Sequence, residues 1–218
     1  MRILELFSGT QSVGKVAREL GWDVVSLDIE DYKGKHAPTI KTDIMEWDYK
    51  KAYAPKHFDV VWASPPCVYY CRLQHINLNR KRKANGELWQ QEDWERDKTS
   101  SDEVVKRTLA IIDYFEPTTW FLENPQTGLL KDREIMQGVP FVDVDFCMYS
   151  DWGYRKRTRI WTNVKDFDGK TCDRKCGNMD SSGKKHRLLQ RKGKGQSTKL
   201  QRYRIPPKLI RELFDSSV

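Results

Sequence analysis

Short apolar runs alternate with stretches of helical periodicity along this chain. Ile3-Leu4-Glu5-Leu6-Phe7 reads as a buried strand, and the small residues from Ser8 to Gly14 read as the turn after it. Val13, Val16, Ala17 and Leu20 then recur at helical spacing, with Gly21 where a helix would stop. Residues 24–28 form a second strand ending at Asp28, and residues 39–44 a short third one ending around Asp43. Residues 58–63 give a fourth, which runs into Pro65-Pro66, where a strand cannot continue. Residues 73–96 are polar around Trp89 and Trp94 and read as a long mobile loop or a partly helical insertion. Ser100-Ser101-Asp102 predicts the cap of a helix over 103–115, with Val104, Leu109, Ile111 and Ile112 as apolar positions. Residues 119–125 and the alternating stretch 141–148 read as strands, and 159–163 as the last one. From about 165 to 203 the pattern fades into Gly, Lys, Arg, Cys and Ser. The chain closes with Pro206-Pro207 and a short amphipathic helix over 209–214.

Strands alternating with helices predict an α/β fold with a doubly wound, mostly parallel sheet. At 218 residues there is room for one such domain and a small appendage. The expected layout is a catalytic body over 1–163, a small basic lobe over 164–202, and a C-terminal helix over 203–218 that returns to the body. Hydrophobic content is 38% and charged content 32%, and no apolar run approaches the roughly 20 residues of a membrane span. The start runs directly into a strand pattern carrying Glu5, which is not a signal peptide. Cys67, Cys71, Cys147, Cys172 and Cys176 are odd in number and scattered, which points to a reducing, intracellular compartment, cytoplasm or nucleus, and not to a disulfide framework. The net charge of +8 is uneven: residues 151–218 carry 19 Lys and Arg against 7 Asp and Glu. A basic C-terminal third on an acidic body suggests a polyanionic partner held mainly from one end.

Gly9 and Gly14 do not complete a G-x-G-x-x-G pattern, which disfavours a nicotinamide site. A small-residue turn still lets the backbone approach a ligand closely. Asp28 could accept from ribose hydroxyls and Asp43 from an adenine amino group, so the cofactor expected is one containing adenosine. Three reactive features follow in order. Cys67 comes just after Pro65-Pro66, on a loop at the carboxyl edge of the sheet, where open α/β sheets bind ligands. Glu123 stands at the exit of another apolar strand, so thiol and carboxyl can face one cleft. Arg157 and Arg159 alternate in Tyr154-Arg155-Lys156-Arg157-Thr158-Arg159-Ile160-Trp161.

With these residues the chain closely resembles the C5-cytosine DNA methyltransferase family. Leu6-Phe7-Ser8-Gly9 is similar to that family's cofactor-loop motif, Ser64-Pro65-Pro66-Cys67 to its Pro-Cys nucleophile motif, Glu123-Asn124 to its Glu-Asn motif, and Arg157-Thr158-Arg159 to its Arg-x-Arg motif, in the family's order. The resemblance covers roughly residues 3–163, with a weaker match near 203–213. It implies a Rossmann-like fold that binds S-adenosylmethionine (SAM) through Phe7, Ser8, Gly9, Thr10, Gln11, Ser12, Asp28, Ile29, Asp43, Ile44 and Pro65. It further implies that the Cys67 thiolate adds to C6 of cytosine, that Glu123 holds or protonates N3, and that Arg157 and Arg159 brace the base carbonyl and the adduct. The base must be flipped out of duplex DNA, with the polar loop after Cys67 closing over it.

The chain departs from the family pattern in details. Val68 and Cys71 stand where Gln and Ser are common, Pro125 follows Glu-Asn in place of Val, and Arg155 replaces the Gln of Gln-x-Arg-x-Arg. Only residues 164–202 are available for target recognition, so specificity should be short or relaxed. Lys184, Lys185, Arg187, Arg191, Lys192 and Lys194 are the expected phosphate contacts. Cys172, Cys176 and His186 raise a zinc site, with Cys147 or another group as fourth ligand, that would staple a lobe too small for its own core. The reading is a compact, monomeric SAM-dependent enzyme acting on double-stranded DNA, without excluding a partner subunit. Its economy suits a phage, viral or mobile-element protein. The alternatives are an RNA, notably tRNA, C5-cytosine methyltransferase, a catalytically silent nucleic-acid-binding module, and a thiol redox protein, which the C-x3-C spacing of Cys67 and Cys71 disfavours.

Overall fold

The computed structural model describes residues 1–32, 34–188 and 198–217. Among them, seven strands form one sheet. In chain order the elements are β1 (Arg2–Leu6), α1 (Ser12–Glu19), β2 (Asp23–Asp28), β3 (Ile40–Lys41), α2 (Tyr49–Ala52), β4 (Val60–Ala63), α3 (Gln91–Phe115), β5 (Thr119–Pro125), β6 (Phe141–Asp145), β7 (Arg157–Thr162), α4 (Lys199–Tyr203) and α5 (Pro207–Asp215). The spatial order is β3-β2-β1-β4-β5-β7-β6. β1 to β5 are parallel, and β7 runs antiparallel to both β5 and β6.

The central strands are apolar on both sides because helices cover both sides. On one face Leu4, Leu6, Val61, Ala63, Leu122 and Trp161 pack with Val105, Ile111, Ile112 and Phe115 of α3. On the other, Ile3, Val60, Trp62, Phe121 and Ile160 pack with Val13, Val16 and Ala17 of α1 and with Leu209, Ile210, Leu213 and Phe214 of α5. The C-terminal helix expected over 209–214 thus begins at Pro207, a favoured first helical residue, and lies against α1. The Trp22 and Phe214 rings stack at 4.6 Å.

Several expected boundaries move. The helix expected from residue 103 begins at Gln91, where the Gln90 N–H donates to the Asp93 carboxylate. Asp102 is not a cap. It is buried in mid-helix, where it accepts from the Tyr70 hydroxyl at 2.8 Å and from the Arg133 guanidinium. A carboxylate looks like a cap by residue type, and only tertiary partners reveal that it is an anchor. The stretch 73–96 is a partly helical insertion: it holds most of a 3₁₀ turn (Arg72–Asn77), an isolated β-bridge between Arg82 and Leu88, and the start of α3. The strand expected over 141–148 stops at Asp145 and gives way to a 3₁₀ turn, Phe146–Met148. The last strand begins at Arg157, because pairing with β6 extends to Arg157 opposite Asp145.

β6 is an edge strand, and the chain after β7 covers it. The Asp145 N–H donates to the Lys170 carbonyl at 3.0 Å. Gly169 makes this approach feasible: a Cβ there would lie 2.4 Å from Val142 and 2.6 Å from the Asp143 carbonyl oxygen.

Candidate active site

The chain leaves β1 for β2 on one side and reaches β4 on the other, so a crevice opens above the carboxyl ends of β1 and β4. The turn Phe7–Ser12 forms one wall. Phe7, Gly9 and Gln11 all have positive φ (57°, 49° and 54°), and two of them are not glycine, a strain that marks ligand-binding turns. The turn is held from below. Glu5 accepts from the Val13 and Gly14 N–H groups at 3.2 and 3.0 Å, and Asp28 accepts from the Gly9 N–H at 2.8 Å. Gly14 is required here, since a Cβ would sit 2.7 Å from the Glu5 carboxylate.

Asp28 also accepts from the Glu30 N–H, so each of its oxygens already carries one backbone donor and keeps one lone pair for a ligand. Ile29 beside it is 60% exposed, an apolar surface without cover at the crevice. Asp43 accepts from the Met45 N–H, and Ile44 is buried. The buried Ser8 hydroxyl has no hydrogen-bond partner. An unpartnered donor, two carboxylates with spare lone pairs and an open apolar side chain fit an adenosine-bearing cofactor. Thr10 and Ser12 bond each other at 2.8 Å, Gln11 donates to the Ala37 carbonyl, and Ser12 accepts from the Ile205 N–H. These three support the turn and fasten the C-terminal segment to it. A cavity of about 340 Å³ between Thr10, Lys15, Trp152, Arg204 and Ile205 lies at that α1–C-terminal junction, away from Cys67.

The second wall carries the thiol. Ser64 continues from β4 by donating to the Leu6 carbonyl, and Pro65 is buried. The Asn124 amide donates to the Pro65 carbonyl at 2.9 Å, which ties the Pro-Pro-Cys turn to the end of β5. Cys67 is half-buried, and burial pushes its thiol up, with the Lys156 ammonium pulling it down and Glu123 and Cys71 pushing further up. Glu123 is buried and lies 3.1 Å from the Lys156 ammonium, without the alignment of a hydrogen bond at that oxygen. Beyond Cys67, the Tyr69 carbonyl accepts from the Trp94 indole N–H and the Tyr70 hydroxyl reaches Asp102, so α3 fixes the root of the loop.

Lys156 is the site residue that the sequence reading missed. It is itself buried and pairs with Glu123 because β7 is antiparallel to β5. Glu123 stands opposite Ile160, so side chains from Ile160 through Thr158 to Lys156 share the face of Glu123. The period-2 parity of the Arg-Lys-Arg-Thr-Arg run carries that signal once the strand direction is known. The Thr158 hydroxyl on the same face, and the Asn124 side-chain oxygen, are buried without partners.

Arg157 and Arg159 occupy the opposite parity and meet the acids of β6. Arg159 makes two bonds to Asp143, at 2.7 and 2.9 Å, with its guanidinium over the Phe141 ring. Arg155 makes two to Asp145, and Arg157 lies 3.6 Å from the same carboxylate with 39% of its side chain exposed. The structure therefore brings Cys67, Glu123 and Lys156 together and sets the two arginines beside them on β6 partners. Lys184 and Lys185 are exposed, and Arg187 reaches the Asn178 side chain and the Asp151 carbonyl. Arg191, Lys192 and Lys194 lie outside the described residues.

No protein-family model matches the chain. It is 42% identical over 225 residues, 99% of both chains, to a protein of frog virus 3 (isolate Goorha) named "Probable DNA (cytosine-5)-methyltransferase". Among solved structures it is similar to the methyltransferase EhMeth of Entamoeba histolytica, with a TM-score of 0.52 at 14% identity over 79% of this chain. The chain matches 55% of the length of that structure, and the likeness shows a shared fold. Identity at this level over nearly the whole length, on a doubly wound sheet, shows that the chain belongs to the DNA (cytosine-5)-methyltransferase family.

Proposed function

We propose that this protein transfers a methyl group from SAM to C5 of cytosine in double-stranded DNA, through a covalent adduct between Cys67 and C6 of a flipped-out base. The observation that carries this reading is the joint placement of Cys67, Glu123 and Lys156 at the exits of β4, β5 and the entry of β7, next to the strained cofactor turn. SAM supplies the electrophilic methyl group when bound. The residues that would hold it are Phe7, Ser8, Gly9, Asp28, Ile29, Asp43, Ile44 and Pro65, with Thr10, Gln11 and Ser12 supporting the turn.

Cys67 must lose its proton to attack C6, and the Lys156 ammonium is the group that favours the thiolate. As the Cys67–C6 bond forms, the electrons of the C5=C6 bond move to C5, and Glu123 stabilises the ring at N3 by sharing or giving a proton. Once C5 carries the methyl group, its proton leaves to water, and the Cys67–C6 bond breaks to restore the double bond and the thiolate. Arg157, partly exposed and held only by the longer contact to Asp145, braces the base carbonyl. Arg159, with both its bonds spent on Asp143, holds β6 beside the pocket.

Flipping is supported by the loop after Cys67. Val68, Leu73 and Ile76, on the segment that follows Cys67, are exposed apolar side chains suited to fill the gap left in a base stack. Lys184, Lys185 and Arg187, with Arg191, Lys192 and Lys194, would hold phosphates. The test is incubation with methyl-labelled SAM and either duplex DNA or tRNA. Label in DNA cytosine, lost in Cys67→Ser, supports the reading. Label in tRNA alone moves it to RNA, and no label in either favours a silent binding module.

A further inference from the structure

We propose that Cys147, Cys172, Cys176 and His186 form a tetrahedral structural zinc site that clamps the basic lobe onto the catalytic sheet. One ligand atom from each of the four side chains lies within 4.8 Å of every other. Tetrahedral zinc, with bonds of about 2.3 Å to sulfur and 2.0–2.1 Å to nitrogen, places two sulfurs about 3.8 Å apart and a sulfur and a nitrogen about 3.5 Å apart. Here Cys172 Sγ is 3.5 Å from Cys176 Sγ, and His186 Nε2 is 3.6 and 3.3 Å from Cys172 and Cys176 Sγ. These three separations lie within a few tenths of an ångström of that geometry, and Cys147 Sγ lies within 4.8 Å of the other three ligand atoms, so the four side chains are gathered around one point. A disulfide would instead need two sulfurs at about 2.05 Å.

The surroundings are built as a metal site requires. The Arg174 N–H donates to Cys172 Sγ at 3.3 Å, which favours thiolate, and Met179 pairs with His186 to close a small hairpin that presents the imidazole. Asn178, buried, donates to the Cys147 and Ser150 carbonyls and accepts from the Gly153 N–H, fixing that hairpin to the turn after β6.

The origin of the fourth ligand sets the role. Cys147 belongs to the turn after β6, whereas the other three belong to the segment after β7, so one ion would join two parts of the fold. Cys172 is also bound through its N–H to the Asp145 carboxylate, which holds Arg155 as well. The ion would therefore fix the lobe and, through Asp145, the arginine run next to the active site. The site involves no catalytic group and stands whether or not the methyl-transfer reading does.

The test is metal content. The full-length chain, purified from zinc-containing medium without chelator, should carry one zinc per chain by elemental mass spectrometry. Cobalt exchange should show thiolate-to-cobalt charge transfer with the intensity of three thiolates, falling to two in Cys147→Ser. Zinc affinity in Cys147→Ser and Cys172→Ser should drop by more than about 100-fold, with Cys71→Ser unchanged. Folded wild-type chain that neither retains nor takes up zinc, or that carries a Cys172–Cys176 disulfide when isolated from reducing cells, would overturn the site.

Discussion

The Asn124 side-chain amide donates to the Pro65 carbonyl across 2.9 Å, joining the end of β5 to the turn that delivers Cys67. Both groups are buried, so this bond sets the spacing between thiol and Glu123. Asn124→Ala leaves the Pro65 carbonyl unpaired, a loss of about 1–3 kcal/mol in stability. Asn124→Asp should cost more, since a carboxylate cannot donate to a carbonyl. Methyl transfer should fall in both beyond what the folded fraction explains, as measured by urea unfolding alongside single-turnover rates. Unchanged turnover in folded Asn124→Ala would show that the bond does not position the thiol.

Lys156 is the cation that offsets burial at Cys67. Removing it raises the thiol further, which reduces thiolate at neutral pH and restores it as pH rises. Lys156→Gln should therefore lose roughly tenfold or more in rate at neutral pH and regain it in alkaline buffer, with Lys156→Arg retaining more. The check is the pH profile of Cys67 alkylation by iodoacetamide, which needs no DNA. Superimposed profiles in mutant and wild type would remove Lys156 from the mechanism.

Burial pushes the Glu5 carboxyl up to about 8 from 4.5, against the two N–H groups that it accepts from Val13 and Gly14. Between these values the folded chain keeps a proton that the unfolded chain has released, so stability falls as pH rises from about 4.5 to about 8. Glu5→Gln carries no charge at any pH. Its melting temperature should lack this decline and start lower, because its amide NH₂ faces one of the backbone donors. Parallel melting-temperature curves for the two proteins would show that Glu5 does not titrate in this range.

Arg157 and Arg159 should separate by phenotype. Arg159→Ala removes two bonds to a partly buried carboxylate and a ring contact, and should cost about 2–4 kcal/mol of stability. Arg157→Ala should leave the melting temperature nearly unchanged and lower methyl transfer. The reverse assignment, with Arg159→Ala stable and inactive, would place Arg159 on the base.

Tyr70 roots the loop after Cys67 by donating to Asp102. Tyr70→Phe leaves Asp102 its bonds to Arg133, so the loss should be about 1 kcal/mol and not the larger loss of an unpaired charge. Adding Arg133→Ala should exceed the sum of the two singles, as a double-mutant cycle in unfolding free energy would show.

Residue type and spacing were enough to give the β1 to β5 strands, the turn at Phe7–Ser12, the thiol after Pro-Pro and the acid at the end of β5. Each depends on local chemistry: apolar runs, prolines that end strands, and acids at strand exits. The partner of Glu123 could not be read in this way. Lys156 meets it only because β7 runs antiparallel and in one register, and a shift of one residue would have brought an arginine to that face instead. In the same way, Asp102 was legible as an acid near serines but not as the anchor of Tyr70, and Cys147 could be named as one candidate fourth ligand beside Cys172, Cys176 and His186, but only the packing of the turn after β6 against the later segment selects it. Local sequence determines which groups are present and which element carries them. Strand direction, register and packing between distant segments decide which of them meet.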